Sequence, residues 1–166
     1  MIRRKRAPYS DTLVPPEKSK SEIEQLLRDY GADGVQWTEL FRENKLELRF
    51  ILTPDAGKPF IVKLSPPPFL APRKTWNAEK GKHEIIQAPN WAQSLRLLKT
   101  YLKAKLESIA FGLRDVEEEF LADTIVRDRA GQERTVFEAV HIAIDSGELK
   151  RALPPGHPVV EGEVVR

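Results

Sequence analysis

The run Arg73-Lys74-Thr75-Trp76-Asn77-Ala78-Glu79-Lys80-Gly81-Lys82-His83 sets four cations and an indole within eleven residues. Lysine and arginine neutralise phosphates and release their counterions, while a flat indole can carry a stacked base for about 1–3 kcal/mol. Cations interleaved with an aromatic suit an unpaired strand better than a duplex groove. The competing expectation for Trp76 is burial, since tryptophan is strongly buried on average. A second set, Arg96, Lys99 and Lys103, recurs at i, i+3 and i+7 and so shares one helix face. Within that helix only Glu107 stands where it could pair, with Lys103, which leaves the face cationic. The predicted nucleic-acid-binding set is therefore Arg73, Lys74, Trp76, Lys80, Lys82, Arg96, Lys99 and Lys103.

These residues lie inside a segregated charge distribution. Between Lys58 and Lys105 stand ten Lys or Arg against two acids, Glu79 and Glu84. Residues 1–57 hold ten of each sign and residues 106–166 hold seven bases against thirteen acids, so a formal charge of +2 conceals a strongly basic middle. Such a block favours an anionic partner but specifies no reaction and no base sequence.

Chemistry that would need other constellations is not encoded. Glu117, Glu118 and Glu119 are adjacent, and successive helical side chains diverge by about 100°, so the triplet cannot converge on one ion. Their place in a first helical turn is explained by the helix dipole. Pro54-Asp55 with Lys63 resembles a restriction-nuclease core, but Ile61 stands where its second acid belongs. His83, His141 and His157 lack metal-ligand spacing, no cysteine is present, and no nucleophile elbow or phosphate cradle of glycines occurs. The expectation is a non-enzymatic protein with no metal and no cofactor.

The elements that must position these groups follow from periodicity. Ser19 or Ser21, each with a glutamate three residues on, opens a helix carrying Ile23, Leu26, Leu27 and Tyr30 on one stripe and stopping at Gly31. Alternation then predicts three strands, through Val35, Trp37 and Phe41, then Leu46, Leu48, Phe50 and Leu52, then Phe60, Val62 and Leu64. Their short connections predict an antiparallel meander. Residues 65–89 contain five prolines and no clear period, and read as a long irregular basic loop. Asn90 caps a long helix striped by Trp91, Leu95, Leu98, Leu102, Leu106 and Ile109, ending at Gly112. Asp115 caps a short acidic helix, residues 124–127 and 132–135 form a small hairpin, and Thr135 with Glu138 boxes a last helix ending at Gly147. The expected fold class is α+β: an N-terminal helix, a three-stranded antiparallel meander packed on a long helix, and a C-terminal small hairpin and helix. Residues 1–18 read as a basic irregular arm, 19–153 as a single domain, and 154–166 as a tail.

The opening Met1-Ile2-Arg3-Arg4-Lys5-Arg6 is followed by Pro8, Ser10 and Asp11 rather than an apolar run, which argues against a signal peptide. No apolar stretch approaches the roughly 18 residues a membrane span needs, and the lack of cysteine suits a reducing interior, so a cytoplasmic protein is expected. The absence of cysteine, thirteen prolines and abundant charge also suit a heat-adapted source.

Val14-Pro15-Pro16-Glu17-Lys18-Ser19 leading to Glu22-Ile23-Glu24, then Tyr30-Gly31-Ala32, Leu102-Lys103-Ala104-Lys105-Leu106-Glu107 and Glu118-Glu119-Phe120-Leu121-Ala122, resembles a family of short uncharacterised proteins encoded by bacteriophages and prophages. The resemblance implies a host-cytoplasmic, phage-encoded setting and carries over no functional residue. The leading expectation is a nucleic-acid-binding protein favouring single-stranded DNA or RNA. The alternative is a phage protein that binds and modulates a host protein through its acidic 115–128 region or its basic loop.

Overall fold

A computed structural model of the chain describes residues 7–55, 57–128 and 130–149. The start of the expected basic arm and the expected tail lie outside those residues. Helix α1 runs Pro16–Asp29, four residues earlier than a cap at Ser19 would have it. Pro16 suits a first helical turn, where its fixed φ is helical and its missing N–H has no partner to lose. Ser19 instead belongs to the buried face, four and eight residues ahead of Ile23 and Leu27, all fully enclosed. The helix stops at Gly31, whose φ of +82° is left-handed. The N–H of Gly31 donates to the Arg28 carbonyl at 3.0 Å and that of Ala32 to the Leu27 carbonyl at 2.9 Å, closing the last turn.

Strands β1 (Gly34–Leu40), β2 (Lys45–Leu52) and β3 (Phe60–Leu64) form the antiparallel sheet in sequence order. Its register sets Trp37 opposite Leu48 and Phe50 opposite Val62. Phe41, expected on the inner face of β1, instead begins a 3₁₀ turn and is 81% exposed. Asn44, at φ 48°, turns the chain back into β2.

Residues 65–89 correct the expectation of an irregular loop. After Ser65-Pro66-Pro67-Pro68-Phe69 they form a regular hairpin, β4 (Leu70–Asn77) with β5 (Lys82–Pro89). No hydrophobic period signals it because neither face packs on a core. Helix α2 (Trp91–Ala110) follows, its N-terminus capped by the Asn90 side chain, which accepts from the Gln93 N–H at 3.3 Å. Leu95, Leu98, Leu102 and Leu106 of α2 meet Leu46, Leu48, Phe50, Leu52, Val62 and Leu64 of the sheet, with Ile23 and Leu27 closing one end. Each such side chain contributes about 1.5–3 kcal/mol on leaving water.

A short helix α3 (Val116–Phe120) inserts Phe120 against Phe50, ring centres 5.5 Å apart and nearly perpendicular. Strands β6 (Ile125–Arg127) and β7 (Glu133–Thr135) make the small C-terminal hairpin, joined to β3 by a bridge between Thr124 and Val62. Helix α4 (Val136–Asp145) opens with the expected capping box: Thr135 Oγ1 accepts from the Glu138 N–H at 3.2 Å, and Glu138 Oε2 accepts from the Thr135 N–H at 2.7 Å. The architecture is α+β as the sequence predicts, with one further hairpin between sheet and long helix.

Candidate nucleic-acid interface

The β4–β5 hairpin is fastened at its base and open elsewhere. The Asn90 N–H donates to the Phe69 carbonyl at 2.6 Å, and Ser94 Oγ donates to the Pro67 carbonyl at 2.6 Å. Both ends of the ribbon are thus tied to the first turn of α2. At the tip, Asn77 Oδ1 accepts from the N–H groups of Glu79 and Lys80, each at 3.1 Å, and Gly81 takes φ +59°. An asparagine that binds its own turn, followed by a left-handed glycine, is a standard four-residue hairpin closure.

Directly opposite residues of an antiparallel pair point to the same face. Trp76 opposes His83 and Lys74 opposes Ile85, which places these four on one side of the ribbon. Arg73 opposes Ile86 and Asn77 opposes Lys82, which places them on the other. The Trp76 and His83 rings meet edge to face with centres 5.1 Å apart. Trp76 is nevertheless 58% exposed, so it is not a core residue.

The structure sorts the basic block into answered and unanswered charge. Glu22 of α1 accepts from Arg96 Nη1 at 2.6 Å and from Lys99 Nζ at 2.8 Å. Lys63 pairs with Glu138, Lys80 with Glu84, Lys103 with Glu107 and Lys105 with Glu119. Among the described residues, the cations of the block left without a carboxylate are Lys58 and three on the hairpin, Arg73, Lys74 and Lys82. The expectation that Arg96 and Lys99 stay without an acid is corrected accordingly, while Lys103 pairs with Glu107 as its spacing allows. The acids missing from α2 itself arrive from α1 for Arg96 and Lys99.

The hydrogen bond from Lys99 is the main reason the Glu22 carboxyl lies below the ordinary carboxylate range, with burial opposing it and Arg96 assisting. A carboxyl depressed in the folded state stabilises the fold above its unfolded pKa, and this contribution disappears as pH falls through the folded value. Glu22→Gln should therefore lower the melting temperature near neutrality, and the two proteins should converge as the buffer is acidified below the ordinary carboxylate range. Parallel melting curves at any pH would show that the seam contributes nothing.

The acidic segment is occupied in part. Glu119 binds Lys105 Nζ at 3.0 Å and accepts from Ser108 Oγ at 3.1 Å, and Glu118 pairs with Arg114 at 2.9 Å. Asp115 holds the N-cap position of α3 without a side-chain hydrogen bond. Burial pushes the Asp123 carboxyl upward, and Lys105, 3.9 Å away, only partly offsets it. Lys105 is itself desolvated, which disfavours its charge, yet hydrogen bonds with Glu119 and Tyr101 outweigh this and raise its pKa. Glu118, Glu119 and Asp123 thus face cations of the chain itself, whereas Asp115 and Glu117 have no ion pair among the described residues.

Sequence reasoning passed over His83 and Ile85 as members of the hairpin face. The signal was their spacing within a strand, legible only once Lys82–Pro89 is read as one. Among the described residues no helix is long and apolar enough to cross a membrane. Comparison with protein-family models, with curated proteins and with solved structures finds no match. The reading of the site rests on its chemistry.

Proposed function

We propose that this chain is a non-enzymatic nucleic-acid-binding protein whose contact element is the β4–β5 hairpin, with single strands favoured. The observation that carries the reading is that the hairpin holds three cations of the basic block without a carboxylate partner, beside an exposed tryptophan. Lys74 lies next to Trp76 on one face, so a strand crossing it meets a cation for its phosphate and an indole for its base. Arg73 and Lys82 on the reverse face add long-range attraction and phosphate contacts. The phage setting implied by the resemblance is a cytoplasmic one in which unpaired strands are common intermediates.

The test is fluorescence anisotropy of labelled single- and double-stranded DNA and RNA across a salt series. Lys74→Ala should lower the salt slope by about one counterion, and Arg73→Ala, on the reverse face, by less. Lys99→Ala should leave it nearly unchanged, because that ammonium already faces Glu22. An absence of salt-dependent binding to any of the four probes rejects the proposal, and a host-protein partner then becomes the preferred reading.

A further inference from the structure

The two outer edges of the β4–β5 ribbon are unlike. Pro72 sits inside β4, opposite Gln87. A proline has no N–H to donate, and within a ribbon it is tolerated where its nitrogen faces away from the partner strand, so it closes the outer edge of β4. Between Lys82 and Ala88, β5 has no proline. It instead exposes an isoleucine on each face, Ile85 at 75% and Ile86 at 44%. No further strand pairs with it among the described residues. An unpaired edge with exposed isoleucines at its centre is a template for another strand, and a ribbon of two strands is marginal in water without one.

We propose that a second copy of this chain pairs with β5 along this edge, antiparallel, about a two-fold axis at Ile85. The result is a four-stranded sheet in the order β4, β5, β5 of the second copy, β4 of the second copy. A second copy fits because the register is self-complementary. Ile85 meets Ile85, Glu84 meets Ile86, His83 meets Gln87 and Lys82 meets Ala88, so no charge stands directly opposite its own sign. Glu84 is meanwhile held within its own hairpin by Asn77 at 2.9 Å and Lys80 at 3.0 Å, which keeps its charge answered. An axis perpendicular to the sheet keeps like faces together. The Lys74, Trp76 and His83 of both copies then share one surface, so each copy completes the other's site. That last consequence rests on the function proposed above, whereas the pairing itself does not.

The pairing is tested on the full chain without nucleic acid. Light scattering over rising concentration should show the mass approach twice 18.9 kDa, and Ile85→Lys should return it to 18.9 kDa at the same concentration. The chain has no cysteine, so single cysteines report proximity cleanly. Ile85→Cys should oxidise to a covalent dimer, because directly opposite Cα atoms lie about 4.5–5.5 Å apart, within disulfide reach. The two hairpins point in opposite directions, which sets their tips roughly 30 Å apart, from about 3.4 Å per residue along each strand plus the turn. Glu79→Cys at the tip should therefore not cross-link. A mass that stays at 18.9 kDa into the millimolar range overturns the proposal. So does a dimer in which Ile85→Cys cross-links no faster than Glu79→Cys, which would place the interface elsewhere. A doubled mass with no nucleic-acid binding would reject the function while leaving the pairing intact, and a binding-competent monomer would do the reverse.

Discussion

Replacing Trp76 by alanine is expected to weaken single-strand binding by about 1–3 kcal/mol, roughly a 5- to 150-fold rise in Kd, with no change in the thermal melt. The two halves of that result have separate causes. Trp76 is 58% exposed and meets the His83 ring edge to face on the surface of the ribbon, so its removal opens no buried cavity. A base stacked on the indole, however, loses its platform altogether. Trp76→Phe, which keeps a smaller π-surface, should recover part of the affinity. Full affinity in a folded Trp76→Ala protein would remove the stacking contribution and leave only charge. A drop in melting temperature of the size seen for core truncations would show instead that the indole is structural.

Phe120→Ala should do the opposite. Phe120 is fully buried, packs edge to face on Phe50 and lies 5.0 Å beneath the Lys105 ammonium. Truncating a buried phenylalanine costs about 3–5 kcal/mol, partly in lost transfer energy and partly in the cavity left behind. The ammonium also loses the ring face that compensates its own desolvation. In urea this should appear as a midpoint lowered by about 2 M at an m-value near 2 kcal/mol/M. Nucleic-acid affinity of the fraction still folded should be unaltered, since the hairpin is fastened to α2 far from this contact. A midpoint shift under about 0.5 M would mean that the Phe50–Phe120 contact relaxes without cost.

These variants divide the molecule along the line that separated legible from illegible sequence. Leu46, Leu48, Phe50 and Leu52 announce their strand because they pack on the core from one face while Glu47 and Arg49 stand between them on the other. Asn90 and Thr135 announce helix starts because a cap needs a short polar side chain at one position. The start of α1 is hidden because a proline in the first turn makes a side-chain cap unnecessary, and Ser19 is there to be small and buried. The hairpin is hidden because both its faces meet water. Ile85 and Ile86 are adjacent and Lys74 shares a face with Trp76, so no alternation of polar and apolar residues survives. The cationic run itself was legible. Which cations remain unanswered was not, because Glu22 reaches Arg96 and Lys99 from another helix, and no spacing rule connects them.

The clamp at the hairpin base has an evolutionary consequence. Two hydrogen bonds, from Asn90 to Phe69 and from Ser94 to Pro67, fix where the arm leaves the body while placing no demand on what the arm carries. Substitutions between Leu70 and Pro89, outside the Asn77–Gly81 turn, are therefore nearly invisible to folding of the body. Such a segment can drift quickly and acquire new targets on an unchanged scaffold, so among descendants of this chain the arm should diverge first and the Leu-lined seam last.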